Sequence, residues 1–240
     1  MLSSFAFKEL KIEISSYLLE IEPKLSPLFK FIKKGTFLRD PNDELYQSRL
    51  IYTQELRRIV YNPHIFNEVL MDAHLKEQFF RTFGYKGNLE FTIYPKSWIR
   101  DLALEGLSFG KNVYLADGIV LGTNQVSPSQ KKIRVGPIKI GDRSIFDQDC
   151  KIGLNTEIGQ DCKVGVCSNI GIGCKIGNKV RVSAGAGISH FVTIHDNVSI
   201  GENCYIGSKS IIEDGAQLAS NTQVPQKSRV TKQGQILPLY

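Results

Sequence analysis

The sequence predicts an α+β protein in which a helical N-terminal domain is followed by a parallel β-solenoid. Two observations support this fold class: helical spacing of apolar residues in the first third of the chain, and an apolar residue at every sixth position from Ile140 to Val230. All sixteen positions of that series are apolar, and the residue four places after each is small or β-branched. We assign residues 1–88 to the helical domain and residues 89–240 to the solenoid.

Composition narrows the class of protein. The chain has 240 residues, with 30 lysines and arginines against 24 aspartates and glutamates, and 42% of its residues are hydrophobic. These proportions exclude a disordered tail and a disulfide-rich miniprotein, and the length suffices for one or two domains with a proper core. The net charge of +6 is spread evenly along the chain. That charge is compatible with an anionic cosubstrate. The basic residues do not form the clustered stripe that binding of a nucleic acid requires.

The sequence favours a cytoplasmic protein without a membrane span. No apolar stretch approaches the roughly eighteen residues of a membrane-spanning helix, and the N-terminus lacks the pattern of a signal peptide. Five cysteines, an odd number with no CxxC pair, favour a reducing compartment over a disulfide framework. Cys150, Cys162, Cys174 and Cys204 occupy small positions of the repeat, which predicts core packing, whereas Cys167 is out of that pattern and has no assigned role.

Helical periodicity appears in three segments of the N-terminal domain, residues 7–22, 42–62 and 65–84. Asn42 is placed to cap the second segment, and Gly84 to end the third. We therefore expect three or four helices, which by themselves indicate no function.

Each six-residue repeat, or hexad, is interpreted as a short strand and a corner, with the large aliphatic and the small residue both pointing inward. Three hexads then complete one triangular coil, and coils stack strand on strand in parallel. Glycine directly follows the aliphatic in eight of the fifteen hexads. We interpret these glycines as turn residues that need permissive dihedral angles.

The repeat continues upstream with one interruption. Leu107, Val113 and Ile119 keep the six-residue spacing, so the aliphatic column is expected to run through them. The register breaks at residues 125–137, whose proline, serine and lysine content predicts a loop pushed out of a coil. This loop is either a tolerated surface insertion or a lid that contacts substrate.

The hexads resemble the left-handed parallel β-helix of the hexapeptide-repeat acyltransferase superfamily, most clearly in residues 140–165 and 198–212. The resemblance implies a left-handed coil, acetyl-CoA as cosubstrate, no metal, and a homotrimer with active sites between subunits. Some members of this superfamily also carry a helical N-terminal domain, but no specific motif here matches theirs.

The chemistry is predicted on the coil that carries His190 and His195, within GAGISHFVTIHDNVSIG, residues 185–201. This stretch resembles the active-site coil of sialic-acid and nucleotide-sugar acetyltransferases, where a histidine at the third hexad position is the general base. The resemblance assigns that role to His190. His195 stands where that family commonly has glycine, and is an auxiliary candidate. Acyl transfer needs a base for the acceptor proton, and backbone N–H groups of residues 185–189 are expected to meet the oxyanion.

Candidate coenzyme A residues lie further along the solenoid. The same corner one coil later carries Gly207, Ser208 and Lys209, whose backbone groups are expected to hold the pantetheine amides. Near the C-terminal end follow Lys227, Arg229 and Lys232, which are expected to meet the nucleotide phosphates unless they are ordinary solvated charges.

Two other functions compete with an acyltransferase. The spacing of His190 and His195 is also that of two zinc ligands in γ-class carbonic anhydrases, but the position of the third ligand is Gly177 and a catalytic zinc needs three protein ligands. The other is a non-catalytic trimeric β-helix scaffold in which His190 is simply solvated.

Overall fold

The computed structural model describes residues 4–30, 34–94, 96–99 and 104–239. The first part of the chain forms four helices, α1 to α4, which span Ser4–Leu25, Glu44–Val60, Pro63–Met71 and Ala73–Thr82. Short 3-10 helices occupy Ser26–Lys30 and Leu104–Gly106. The predicted helical N-terminal region is therefore confirmed. No helix in the described ranges is long and apolar enough to cross a membrane.

Asp43 and Asp72 set helix boundaries that the sequence analysis did not predict. Helix α2 begins after Asp43, whose carboxylate accepts a hydrogen bond from the Tyr46 N–H at 2.8 Å, so the predicted cap at Asn42 is one residue too early. The third periodic segment is two helices because Asp72 ends α3 and caps α4. Its carboxylate accepts from the N–H groups of His74 and Leu75 at 3.0 and 3.1 Å.

The second part of the chain is a parallel β-solenoid of seven coils, consistent with the predicted left-handed β-helix. Its three sheets each stack seven strands along the solenoid axis. Paired residues in successive coils are eighteen apart, as in Ile145 with Lys163 and Lys163 with Arg181.

The strands of the solenoid are short, and each coil contributes one strand to each sheet. The first sheet contains Phe91–Ile93, Val113–Leu115, Ile145–Phe146, Lys163–Val164, Arg181–Val182, Ser199–Ile200 and Gln217–Leu218. The second sheet contains Trp98–Ile99, Val120–Gly122, Lys151–Gly153, Asn169–Ile170, Gly187–Ile188, Tyr205–Ile206 and Gln223–Val224. The third sheet contains Leu107–Phe109, Ile138–Ile140, Thr156–Ile158, Lys175–Ile176, Thr193–Ile194, Ile211–Ile212 and Ser228–Val230, with Ile236–Pro238 added antiparallel at its edge.

The inward columns of the repeat are confirmed. All sixteen aliphatic positions from Ile140 to Val230 are buried, and so is every small companion position except Thr222. The companions also make hydrogen bonds: hydroxyls such as that of Ser144 donate to a carbonyl fifteen residues ahead at 2.9 Å. The buried thiols follow the same pattern, as Cys174 does toward the Ser189 carbonyl at 3.0 Å. All five cysteines are free, and Cys167 is exposed.

The sequence analysis wrongly interpreted the glycines that follow the aliphatics as turn residues with permissive dihedral angles. Positive φ angles fall three residues after each aliphatic, at every sixth position from Arg143 to Lys227. The glycines directly after the aliphatics are required instead by close approach of the next coil. A Cβ on Gly207 would lie 2.3 Å from the backbone nitrogen of Gln226.

The upstream column is also displaced from its predicted phase. Leu115 pairs with Phe146 and Leu121 pairs with Ile152, so these residues continue the aliphatic column. Val113 and Ile119, with Leu107 on the same spacing, are two residues out of phase with it. They are buried nonetheless, and large apolar residues at both inward positions made the phase ambiguous.

The segment predicted as a loop at 125–137 is a β-hairpin. Strands Asn124–Val126 and Lys132–Val135 pair antiparallel, and the second also pairs with Gly35–Leu38. By its contacts this hairpin groups with the helices and residues 104–107 as one unit, and the solenoid coils form the other.

Candidate functional site

His190 lies at the corner that joins the second sheet to the third. We name residues 189–192 and their equivalents in other coils the His190 corner. Successive corners are held together by backbone hydrogen bonds. The N–H of Lys209 donates to the His190 carbonyl at 3.0 Å, and the N–H of Phe191 donates to the Ile172 carbonyl at 2.8 Å. The His190 side chain is exposed on this rigid corner.

One imidazole nitrogen of His190 has a structural partner. Its Nδ1 accepts a hydrogen bond from the backbone N–H of Ile172, one coil earlier, at 3.0 Å. An accepting Nδ1 assigns the proton of the neutral ring to Nε2. In this orientation the outer nitrogen donates a hydrogen bond rather than accepting a proton.

The same contact recurs at other corners with other side chains. The third hexad position carries Asp142, Asn178 and Asp196, and each accepts from a backbone N–H of the previous coil at 2.8 to 3.0 Å. These three residues all lie at the corner between the third sheet and the first, and His190 makes the same kind of contact at its own corner. This bond depends on how coils stack, so sequence reasoning, which placed the His190 side chain outward, did not reveal it.

His195 lies at the next corner of the same coil, the one that joins the third sheet to the first, which we name the His195 corner. The strand Thr193–Ile194 separates it from the His190 corner. Its exposed side chain is electrostatically coupled to Asp196 and Glu213. Among the described residues, no hydrogen bond involves either of its ring nitrogens.

The carboxyl groups near His195 are held ionised. A hydrogen bond from the Asn178 backbone keeps the pKa of Asp196 below its usual range, with a smaller contribution from His195. A hydrogen bond from the Lys232 backbone is the largest cause that keeps the pKa of Glu213 low.

An open depression of about 230 Å³ is lined by His195, Asp196, Gly177, Thr193 and Lys175, among others.

Gly177 supplies no ligand at the position that a zinc site of the γ-carbonic-anhydrase type would require. The described ranges contain no group of three or more potential metal ligands.

The residues predicted to bind coenzyme A divide between the two corners. Gly207, Ser208 and Lys209 lie at the His190 corner, and the Ser208 hydroxyl is 2.6 Å from that of Ser189. Arg229 and Lys232 instead meet Glu213, which belongs to the His195 corner. The Arg229 guanidinium forms an ion pair with Glu213, and the Lys232 N–H donates to the same carboxylate at 3.1 Å.

Lys227, the third basic residue predicted to meet the nucleotide phosphates, lies at the His190 corner. It stands one coil beyond Lys209 at the equivalent left-handed position, and both side chains are exposed. No ion pair involves either lysine within the described part of the chain.

The amides expected to form an oxyanion hole are already occupied. The N–H groups of Gly185, Gly187 and Ser189 donate to carbonyls of neighbouring coils at 2.8 to 2.9 Å, and that of Ala186 donates to the Ser168 hydroxyl. The backbone N–H of His190 has no acceptor among the described residues. The expectation for residues 185–189 is therefore wrong, and the His190 amide is the available donor at this corner.

Phe191 is a residue of the candidate site that sequence reasoning missed. Its φ is 60°, a left-handed conformation that costs a bulky L-residue about 1 kcal/mol or more. The side chain is 52% exposed, and its ring lies edge-on to the His190 ring with centroids 6.4 Å apart.

Comparison with known proteins identifies the repeat. Residues 173–208 match the family described as bacterial transferase hexapeptide (six repeats). This match confirms the hexapeptide repeat inferred from the sequence, and the matched segment contains His190, His195 and Ser208. A search of curated proteins found no match.

Several solved structures resemble the chain. A GDP-perosamine N-acetyltransferase from Caulobacter crescentus, in complex with CoA and GDP-perosamine, is 15% identical over 68% of this chain and 63% of its own, with a TM-score of 0.39. A maltose O-acetyltransferase from Clostridium difficile 630 is 16% identical over 87% of this chain and 94% of its own, also with a TM-score of 0.39. A UDP-N-acetylglucosamine acyltransferase from Bacteroides fragilis is 19% identical over 60% and 57%, with a TM-score of 0.31.

Proposed function

We propose that this chain is an acyl-CoA-dependent acyltransferase that transfers an acyl group, most simply acetyl, to a sugar, nucleotide-sugar or similar small acceptor. The observation that carries the proposal is the match of residues 173–208 to the hexapeptide repeat of bacterial transferases. That segment contains both solenoid histidines, and Ser208 at the position equivalent to His190 in the next coil.

His190 is the proposed general base. The acceptor hydroxyl or amine attacks the thioester carbonyl, a C–O or C–N bond forms and the C–S bond breaks. The acceptor proton passes to the imidazole and then to the departing sulfur, which leaves as the thiol of CoA. To receive that proton, the ring must release the Ile172 amide and rotate, so that Nδ1 presents its freed lone pair to the acceptor while Nε2 keeps its hydrogen.

The rest of the His190 corner supplies binding and charge stabilisation. The backbone N–H of His190 is the proposed donor to the tetrahedral oxyanion. Lys209 and Lys227 stand on consecutive coils, and we assign them the CoA phosphates in preference to Arg229 and Lys232, because Glu213 already neutralises Arg229. His195 remains the proposed auxiliary, and the role of Ser208 is to line the pantetheine path beside Gly207.

A homotrimer is part of the same proposal. A triangular solenoid has flat faces, and packing three copies around an axis creates equivalent grooves along the corners. In the single chain, His190 and Phe191 are exposed. Residues that line a groove between subunits are expected to be exposed before the subunits assemble.

A scaffold without catalysis is the second candidate, because one observation favours it. His190 accepts an amide hydrogen bond just as Asp142, Asn178 and Asp196 do, so a structural task alone can account for its position. In that case His190 stabilises the stacking of coils and contacts no substrate.

Acetyl transfer by the purified full-length chain separates the two candidates. Acetyl-CoA is supplied with a panel of methyl pyranosides and nucleotide-sugars, released CoA thiol is measured, and the product mass is checked for an added acetyl group. The acyltransferase predicts acceptor-dependent thiol release that falls at least about a hundredfold in H190N. A scaffold predicts no acceptor-dependent release and no change in that variant.

A further inference from the structure

Phe191 combines two unfavourable features at the position next to His190. It is the only aromatic residue with a positive φ in the described ranges, where most such positions hold glycine, asparagine, aspartate or lysine. Its side chain is also half exposed. Left-handed backbone is strained for a bulky residue, and an exposed phenyl ring gains little from burial.

The ring is nevertheless held in a defined place. It lies over Gly173 in the previous coil, where an added Cβ would come within 2.6 Å of the Phe191 Cδ1 atom. The N–H of Phe191 donates to the Ile172 carbonyl, the same residue whose amide bonds to the His190 ring. The Phe191 ring therefore lies over Gly173 and beside the His190 ring, and these two rings form one aromatic surface at the corner.

We infer that Phe191 forms the platform for the ring of the acyl acceptor, and that the acceptor is a pyranose whose apolar C–H face packs against it. This inference rests on the proposed acyltransferase function. Phe191 adjoins the proposed base in the chain, so a molecule that packs against its ring can give up a proton to His190, as the acceptor must. An aromatic platform selects a cyclic acceptor over a flexible chain because the rigid ring loses little conformational entropy on binding.

The inference predicts opposite changes in stability and binding. In F191N, asparagine replaces phenylalanine at a left-handed position of the repeat that Asn155, Asn197 and Asn203 already occupy at other corners. Relief of the strained backbone is expected to raise Tm by about 2–4 °C, while acceptor KM rises about tenfold or more and KM for acetyl-CoA stays unchanged. F191Y keeps the ring and is expected to retain acceptor KM within about twofold.

Cys167 provides the matched control. It is exposed and has a φ of 59°, but it lies at the corner that joins the first sheet to the second. The C167N variant should gain stability like F191N without any change in acceptor KM.

The experiment measures Tm, oligomeric state, and both KM values for the full-length variants, with the methyl pyranoside or nucleotide-sugar that the acyl-transfer screen identifies. Saturation-transfer NMR with the same panel reports binding without turnover. An F191N variant with unchanged acceptor KM and unchanged transfer signal overturns the platform. Dissociation of an oligomer in F191N would also overturn it, since the ring would then serve subunit contact. If the wild type transfers no acetyl but binds a pyranose through Phe191, the acyltransferase fails while the platform survives.

Discussion

Replacement of His190 by asparagine and by alanine separates its structural task from its chemical one. Asn178 shows that an asparagine can make the cap, because its Oδ1 accepts from the Gln160 N–H at 3.0 Å, the distance at which His190 Nδ1 accepts from Ile172. H190N should therefore keep the wild-type Tm. H190A removes one hydrogen bond at an exposed corner, which is worth about 1 kcal/mol and lowers Tm by about 2–4 °C.

Turnover should respond differently from stability. Neither asparagine nor alanine can take the acceptor proton, so both variants are expected to lose a factor of about 10² to 10⁴ in kcat. Thermal unfolding monitored by circular dichroism gives Tm, and CoA thiol release gives kcat. Full turnover in H190N would refute the general base, and an unchanged Tm in H190A would refute the cap.

Three further perturbations test other parts of the account. Charge reversal in K209E/K227E should raise KM for acetyl-CoA several-fold at nearly constant kcat, because a phosphate contact binds ground state and transition state alike; an unchanged KM would place the nucleotide elsewhere. G207A should lower Tm by several degrees, because its Cβ would lie 2.3 Å from the Gln226 backbone nitrogen. The control G187A should change Tm little, because its nearest contact is an ordinary 3.4 Å. Equal changes in Tm would contradict the close-approach argument. Burial raises the pKa of Glu105 to about 7 from its ordinary value of 4.5. Folding therefore favours the protonated carboxyl group. The contribution of that group to stability is lost as pH rises from about 4.5 to 7. Denaturant titrations across that range should show this decline in the wild type and a flatter profile in E105Q, and identical slopes would exclude Glu105 as its source.

The repeat was predictable from the sequence because coil geometry fixes its period. An aliphatic residue every six positions fills the interior whatever the outward residues are, and the columns from Ile140 to Val230 followed directly. The phase failed upstream because Val113 and Leu115 both point inward and are both large. The break between α3 and α4 escaped notice because helical periodicity continues through Asp72, whose side-chain capping ends one helix and starts the next.

The candidate site was only partly predictable, for reasons of stacking and backbone conformation. The sequence placed His190 and Ser208 at one corner, since they are eighteen residues apart. It did not reveal that His190 hydrogen-bonds to the coil below, or that Arg229 is neutralised by Glu213, because such contacts depend on the side-chain conformations of adjacent coils. Phe191 was missed because a phenylalanine is not a residue that signals left-handed backbone.

Calorimetric titration of the full-length chain with CoA tests the central claim most directly, because it requires neither the acceptor nor turnover. An acyl-CoA-dependent transferase predicts saturable binding of one CoA per chain, weakened by charge reversal at Lys209 and Lys227. Absence of any binding heat at millimolar CoA would contradict the acyltransferase and leave the solenoid as a scaffold.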